Sequence, residues 1–261
     1  MSMATSTYYY KPKKKADDNL IIEKIQELLS ELPETGYISM TKLLNETIRI
    51  NKKKVYRIMA ENGFLCRKKA RFKTSTTDSN HNLAKFPNLI KGRSLQNMNV
   101  IFGDVTAFDI QGKDAFLACL MRHRNREIVG YAVSLRNDTD LVLSALLSAE
   151  EKMGTLSDFI HHTDSDVRYC SDLYIETATS MGLKISMCKG NAYENAFAES
   201  LNKTIKYKEI NINEYENIEE AYACLEKYFH KYNNMKPHSS LGWLTPVAYG
   251  KRSFLENLSK K

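Results

Sequence analysis

Apolar residues recur at helical spacing in the first quarter of the chain. In the clearest run they lie three or four positions apart: Ile21, Ile25, Leu28 and Leu29. This spacing predicts an amphipathic helix that stops before Pro33, because proline cannot continue the backbone hydrogen bonds of a helix. Ser39 and Asn51 can cap a second and a third helix, and Gly63 suits the end of the third.

The predicted third helix is basic near its start. Its exposed side carries four cationic side chains, namely Lys52, Lys53, Lys54 and Arg57. Three short helices with a basic last one are typical of a helix-turn-helix, whose final helix approaches DNA. A three-helix bundle with a solvated lysine face has the same pattern. We predict that residues 16–65 are a helix-turn-helix-like DNA-binding domain and that these four residues contact DNA.

The pattern changes to strands mixed with helices after residue 99. Three short apolar runs separated by polar turns predict an antiparallel meander over residues 100–108, 115–121 and 128–133. Helices are then predicted over 141–153, 172–181 and 194–208, and strands over 158–162 and 184–187. This order predicts an α/β fold, a ribonuclease-H-like mixed sheet over residues 99–210, although other α/β sheets share the order. Residues 211–261 are predicted to be a helical tail.

Two basic segments flank the predicted DNA-binding domain. Residues 1–15 form an arm in which tyrosines precede lysines, a mixture suited to bases and phosphates, although a solubilising tail has the same composition. Residues 66–98 are predicted to be a basic linker. Its predicted phosphate contacts are Arg67, Lys68, Lys69 and Arg71.

The charge changes sign along the chain. Residues 1–95 hold 19 Lys or Arg against 9 Asp or Glu, whereas residues 96–212 hold 12 against 16. The basic block would attract a polyanion with salt-sensitive affinity. An acidic block inside a basic protein is expected if some of its carboxylates hold divalent cations, although a solvated surface would carry the same charges.

Composition excludes several other classes of protein. No stretch approaches the roughly 18 apolar residues that a membrane span requires, and no secretory signal is visible at the amino terminus. The five cysteines are scattered without CxxC spacing, which disfavours a zinc site and predicts free thiols. We therefore expect a cytoplasmic, nucleoid-associated protein without a membrane partner.

Three carboxylates are candidate functional residues, because burying their charge is costly or because they lie where functional groups gather in α/β folds. Asp104 lies inside the first predicted strand, and Asp164 directly follows the fourth. Glu199 lies on the helix over 194–208, about 200° around the axis from the apolar Phe197. Carboxylate oxygens without cysteine suit Mg²⁺ or Mn²⁺, although each carboxylate taken singly could be a cap or a salt bridge.

Polar residues on the same helix, and three histidines, complete the set of candidates. Asn195, Asn202, Lys203 and Lys206 share the side of Glu199, a strip predicted to run along DNA. His161 and His162 are adjacent in a strand, so they should point to opposite faces and not share an ion. His238 fits either a DNA contact or the cap of a turn.

Four stretches form long motifs. They are Asp104-Val105-Thr106, Ile160-His161-His162-Thr163-Asp164, KGNAYENAFAES over 189–200 and PHSSLGWLTP over 237–246. With them, the chain from about residue 17 to residue 250 resembles the OrfB-type transposases of bacterial insertion sequences, members of the retroviral-integrase superfamily. Thirty-four residues separate Asp164 from Glu199, one fewer than is usual in that family. The chain also departs from the family at Ile101, Arg122, Asp166 and Glu194.

The resemblance implies a chemistry and its partners. It implies that Asp104, Asp164 and Glu199 are catalytic and hold Mg²⁺ or Mn²⁺, two ions per site. It implies strand cleavage and strand transfer at insertion-sequence ends, with terminal repeats and target DNA as substrates. It further implies a homodimer or larger assembly on DNA, and an upstream-encoded helix-turn-helix protein or fusion. The alternatives are a ribonuclease-H-like nuclease without strand transfer, and an inactive DNA-binding truncated product.

Overall fold

The computed structural model describes residues 18–66, 81–188 and 195–258. The chain divides into two compact units, residues 1–67 and 68–261. No helix within the described ranges is long and apolar enough to cross a membrane. Each unit has its own core and is described by itself.

The first unit contains three short helices. They are α1 (Asp18–Glu31), α2 (Tyr37–Leu44) and α3 (Lys52–Glu61). Their core consists of Ile21, Ile25, Met40, Leu44, Val55, Ile58 and Met59. The Asn51 side chain caps α3 as predicted, accepting a hydrogen bond from the Lys53 amide at 2.8 Å. The predicted cap at Ser39 is wrong, because α2 already begins at Tyr37, after the extended Gly36.

The second unit is built on a mixed five-stranded sheet. Its strands are β1 (Val100–Ile110), β2 (Lys113–Arg122), β3 (Ile128–Ser134), β4 (Ile160–Thr163) and β5 (Lys184–Met187). Their spatial order is β3-β2-β1-β4-β5. The first three strands form the predicted antiparallel meander, and β4 and β5 add in parallel beside β1. This order confirms the predicted ribonuclease-H-like sheet, with β1 at its centre.

Helices cover both faces of the sheet. Between β3 and β5 run α4 (Thr139–Met153) and α5 (Asp172–Ser180), and after β5 come α6 (Ala196–Lys208), α7 (Ile218–Asn234) and α8 (Pro246–Leu258). Strand alternation separates two cores. Ala118 and Leu120 of β2 belong to the core with α4 and α5, whereas Leu117 and Cys119 belong to the core with α6 and α7. Gly130 of β3 allows α4 to approach, because a Cβ there would collide with the Ala145 carbonyl.

Candidate active site

Asp104 lies in the middle of β1, the central strand. It pairs with Cys119 of β2, so its side chain shares the face that α6 covers. One carboxylate oxygen accepts a hydrogen bond from the Val105 amide at 2.9 Å, and the other accepts from the Asn202 side chain at 2.9 Å. Burial, followed by the negative charge of Asp164, raises the pKa of Asp104 to about 7. The Asp104 carboxylate is thus costly to ionise as the protein stands.

The other two predicted catalytic carboxylates lie within electrostatic reach of Asp104. Asp164 directly follows β4, and Glu199 lies in the first turn of α6. Both charges contribute to the raised pKa of Asp104, that of Asp164 more than that of Glu199. Within the described ranges, however, no three His, Cys, Asp or Glu side chains are grouped closely enough to hold one ion. The three carboxylates thus interact without forming a closed set of ligands.

Two asparagines fix α6 against β1. The Asn195 side chain donates to the Gly103 carbonyl at 3.3 Å, and Asn202 donates to Asp104. Both are almost fully buried. They lie four residues before and three residues after Glu199, so all three share one helix face. The prediction that Asn195 lies on a DNA-facing strip does not fit this placement, because its side chain is packed against the strand.

Asn202 also offers an oxygen that suits a cation. Its amide oxygen is buried and has no hydrogen-bond partner among the residues that the structure describes. An unsatisfied carbonyl oxygen beside carboxylates is a hard donor, of the kind that Mg²⁺ and Mn²⁺ prefer. A divalent cation would also offset the repulsion that raises the pKa of Asp104. The residues at this site therefore fit such an ion.

The two adjacent histidines are structural. The His161 ring lies 2.7 Å from the Tyr174 hydroxyl, whereas the His162 ring lies 2.8 Å from the Ser186 hydroxyl. Their partners belong to different elements, which confirms the predicted opposite orientations. Burial lowers the pKa of His161 to about 4, so this histidine is a neutral, packed side chain. Gly103 makes room for it, because a Cβ there would approach the His161 ring to 2.8 Å.

Asp166 has a structural partner close by. It is 1% exposed and lies 2.5 Å from the Arg168 guanidinium, itself 5% exposed. The same carboxylate oxygen accepts from the Arg168 amide at 3.0 Å. This departure from the family pattern is therefore a buried ion pair in the loop after β4.

The predicted DNA contacts of α3 differ among themselves. Lys52 and Lys53 are exposed. Lys54 and Arg57, in contrast, bind Asp18 of α1 at 2.7 and 2.6 Å, and Arg57 also binds Glu61 at 2.7 Å. The hydrogen bond from Lys54 is the largest of the effects that lower the pKa of Asp18 to about 2. Two of the four predicted contacts therefore tie α1 to α3.

The remaining candidates lie on α6 or outside the described residues. Lys203 is exposed, whereas Lys206 is half-buried near Asp104 and burial lowers its pKa. Arg67, Lys68, Lys69, Arg71, Glu194 and the arm over 1–15 lie outside the described residues. The sequence placed Asn202 on the strip predicted to run along DNA and did not reveal its hydrogen bond to Asp104; its spacing of three residues from Glu199 was the available signal.

The chain matches known sequence families over most of its length. Residues 95–191 and 181–246 match the family described as "Integrase core domain", and residues 15–72 match an "HTH-like domain". The transposase for insertion sequence element IS904 of Lactococcus lactis is 32% identical over 92% of this chain and 96% of the relative. The IS600 "uncharacterized 31 kDa protein" of Shigella sonnei is 30% identical over 91% and 89%.

A solved structure is similar at lower identity. It is the integrase catalytic core domain of HTLV-2 in complex with magnesium, 18% identical with a TM-score of 0.49, over 60% of this chain and 99% of that one. The relatives in sequence, each aligned over most of both chains, settle the family. The chain belongs to the insertion-sequence transposases that carry an integrase core domain behind an HTH-like domain.

Proposed function

We propose that the protein catalyses metal-dependent DNA strand cleavage and strand transfer at the ends of an insertion sequence. The observation that carries this proposal is the interaction of Asp104, Asp164 and Glu199 on the central strand, a strand end and a helix. Asp164 and Glu199 each make Asp104 harder to ionise, so the three carboxylates together favour a bound cation. Membership of the transposase family indicates that the substrate at these carboxylates is DNA.

Asp104, Asp164 and Glu199 would hold Mg²⁺ or Mn²⁺, two ions per site. Such ions, when bound, activate the attacking oxygen and stabilise the leaving oxygen of an in-line displacement at phosphorus. Asn202 orients the Asp104 carboxylate through its 2.9 Å hydrogen bond. Lys206, close enough to Asp104 to interact electrostatically, places a positive charge where a phosphodiester would approach. The attacking oxygen comes first from water, which frees a 3′-hydroxyl, and then from that 3′-hydroxyl, which joins the element to target DNA.

Basic residues outside the carboxylate cluster would bind the DNA. The exposed Lys52 and Lys53 of the HTH-like unit and the exposed Lys203 of α6 are the candidates for phosphate contacts that the structure describes. Transposition joins two element ends, so we propose that at least two copies assemble on DNA, in the cytoplasm where chromosomal DNA lies. An upstream-encoded helix-turn-helix protein or fusion would be a further partner.

The test is a set of charge-removing variants assayed for both reactions. Asp104→Asn, Asp164→Asn and Glu199→Gln should each reduce Mg²⁺-dependent nicking and joining of labelled element-end DNA by at least about 100-fold, because each removes ion-binding charge. Asp109→Asn is the matched control: Asp109 is an exposed carboxylate on the same strand, and its oxygen that accepts from Gly112 would remain. Near-wild-type activity in Glu199→Gln would overturn the assignment, and Glu194 would be tested next. Nicking without joining by the wild type would instead indicate a nuclease.

A further inference from the structure

A second charged site lies on α6, next to the carboxylates. It is a cavity of about 270 Å³ whose lining includes Arg126, Lys236 and His238. Ser200 and Thr204 of α6 also line it, and the Thr204 hydroxyl donates to the Ser200 carbonyl at 2.9 Å. Ser200 directly follows Glu199 in the first turns of the helix, so the cavity begins beside the proposed catalytic residue.

Two cations are held at this cavity by aromatic rings. The Arg126 guanidinium lies 4.2 Å from the centre of the Phe197 ring, and the Lys236 ammonium lies 5.4 Å from the centre of the Tyr232 ring. Neither cation forms an ion pair in the part of the chain that the structure describes. Arg126 also adopts a φ of +60°, a backbone conformation that is unfavourable for a residue with a Cβ. Such a conformation persists where the surrounding structure requires that side chain in that place.

His238 supplies an unsatisfied nitrogen to the same space. Its Nε2 atom is buried and has no hydrogen-bond partner among the described residues. The ring also packs edge-on against the Tyr232 ring, with 4.7 Å between the two ring centres. The His238 backbone closes the turn that follows, accepting from the Leu241 and Trp243 amides at 3.0 and 2.9 Å. The backbone therefore has the structural role, and the side chain is left for a ligand.

The charges around His238 indicate the sign of that ligand. Burial, with smaller contributions from the positive charges of Lys236 and Arg126, lowers the pKa of His238 to about 4. Burial, together with the positive charge of Lys208, lowers the pKa of Lys236 to about 8. Cations crowded into a partly closed space repel one another, and an anion would relieve that repulsion. An anion with several acceptor oxygens would also accept a hydrogen bond from the Ser200 hydroxyl.

We propose that this cavity binds one backbone phosphate of the DNA strand that lies across α6 at the active site. Arg126 and Lys236 would provide the charge, and the Ser200 hydroxyl and the neutral His238 ring, in the tautomer protonated on Nε2, would donate hydrogen bonds to the phosphate oxygens. The volume is below that of ordinary small-molecule pockets, about 300–1,000 Å³, which favours a single phosphodiester group over a whole nucleotide. A helix with its side chains is about 10–12 Å wide, so this phosphate lies within a few nucleotides of the one that reacts. That the bound phosphate belongs to DNA rests on the proposed function. That the cavity binds an anion does not.

The test compares wild type with Arg126→Gln, Lys236→Met, the double variant and Lys227→Met. Lys227 is an exposed lysine on α7, away from the cavity lining, and is the matched control for lost charge. Affinity for a random-sequence duplex is measured against salt concentration without divalent metal, so that cleavage plays no part. The double variant should reduce the log–log salt slope by about 0.9, the value of one phosphate contact, because both cations bind the same phosphate. Each single variant should lose less than that, because the remaining cation still contacts the phosphate, and Lys227→Met should lose nothing.

Inorganic phosphate provides the second arm. In protein labelled with ¹⁵N-histidine, the Nε2 signal of His238, assigned with His238→Gln, should move on adding phosphate to wild type and stay still in the double variant. An immobile signal in wild type would overturn the anion site. An unchanged salt slope in the double variant, or a loss of about 1.8, would overturn the shared DNA phosphate whatever inorganic phosphate does. Melting curves show whether each variant is folded, and none of these readouts depends on catalysis.

Discussion

Two clusters of like charge meet α6 from different sides, and they differ in sign. At one, the carboxylates of Asp164 and Glu199 make Asp104 harder to ionise. At the other, Arg126 and Lys236 make His238 harder to protonate. In both, burial is the largest cause of the shifted pKa and neighbouring charge of the same sign adds to it. The first cluster is suited to a cation and the second to an anion, and a DNA strand with its metal ions supplies both.

A third buried site contains charges of opposite sign. Asp166 and Arg168 neutralise each other at 2.5 Å, and both side chains are buried. Opposite charges at this distance offset each other, so the pair has no net charge that calls for a counter-ion. Burial alone therefore does not mark a binding site. A buried charge indicates one when its neighbours carry charge of the same sign.

The largest effect we expect separates the neutralised pair from the acidic cluster. Asp166→Asn should lower the free energy of unfolding by about 3–5 kcal/mol, because it removes the carboxylate paired with the buried Arg168 and leaves only the weaker attraction of Asp164. Glu199→Gln removes the same charge from the acidic cluster, where it relieves repulsion on Asp104, so stability should stay equal or rise slightly. Urea denaturation of both variants beside wild type measures the contrast. Equal destabilisation by the two substitutions would contradict the distinction between these sites.

Much of the architecture follows from local patterns in the chain. Alternating apolar runs predicted β1, β2 and β3 to within three residues at either end, and Asn51 marked the start of α3. The predicted cap at Ser39 failed because Ser39 lies within the first turn of α2. Propensity places a capping residue only within a turn of the true boundary.

The polar face of α6 was harder to interpret. Asn195 and Asn202 share a side with Glu199, and the sequence does not show whether such a side faces solvent or a buried carboxylate. Contacts between distant segments were harder still. Arg126 lies in a turn and Lys236 in the tail, and no periodicity links them, so their shared cavity required the tertiary structure.

The next largest effect is the stabilisation of the folded protein by the ligand of each cluster, measured in variants of both clusters. Mg²⁺ and inorganic phosphate should each raise the melting temperature of wild type, because a ligand that binds only the folded state stabilises it, by about 2.7 kcal/mol at 100 times its dissociation constant. The Mg²⁺ effect should vanish in Asp104→Asn and persist in the Arg126→Gln/Lys236→Met double variant. The phosphate effect should show the reverse. Loss of both effects in either variant would mean that the two sites are not independent.

The smallest effect concerns the protonation of His238 inside the cationic cavity. Its pKa, about 4 in the folded protein against the ordinary 6.5, should appear in an NMR titration of the ring. A depressed histidine pKa means that the unfolded chain binds more protons between these values, so this residue makes unfolding easier as the pH falls from about 6.5 to about 4. The groups that face the ring are Lys236, Arg126 and Tyr232. Lys236→Met removes the larger of the two repelling charges and should raise the His238 pKa, while Lys227→Met should leave it unchanged. A pKa that does not move in Lys236→Met would show that burial alone sets it, and the parallel between the two clusters would then fail on its cationic side.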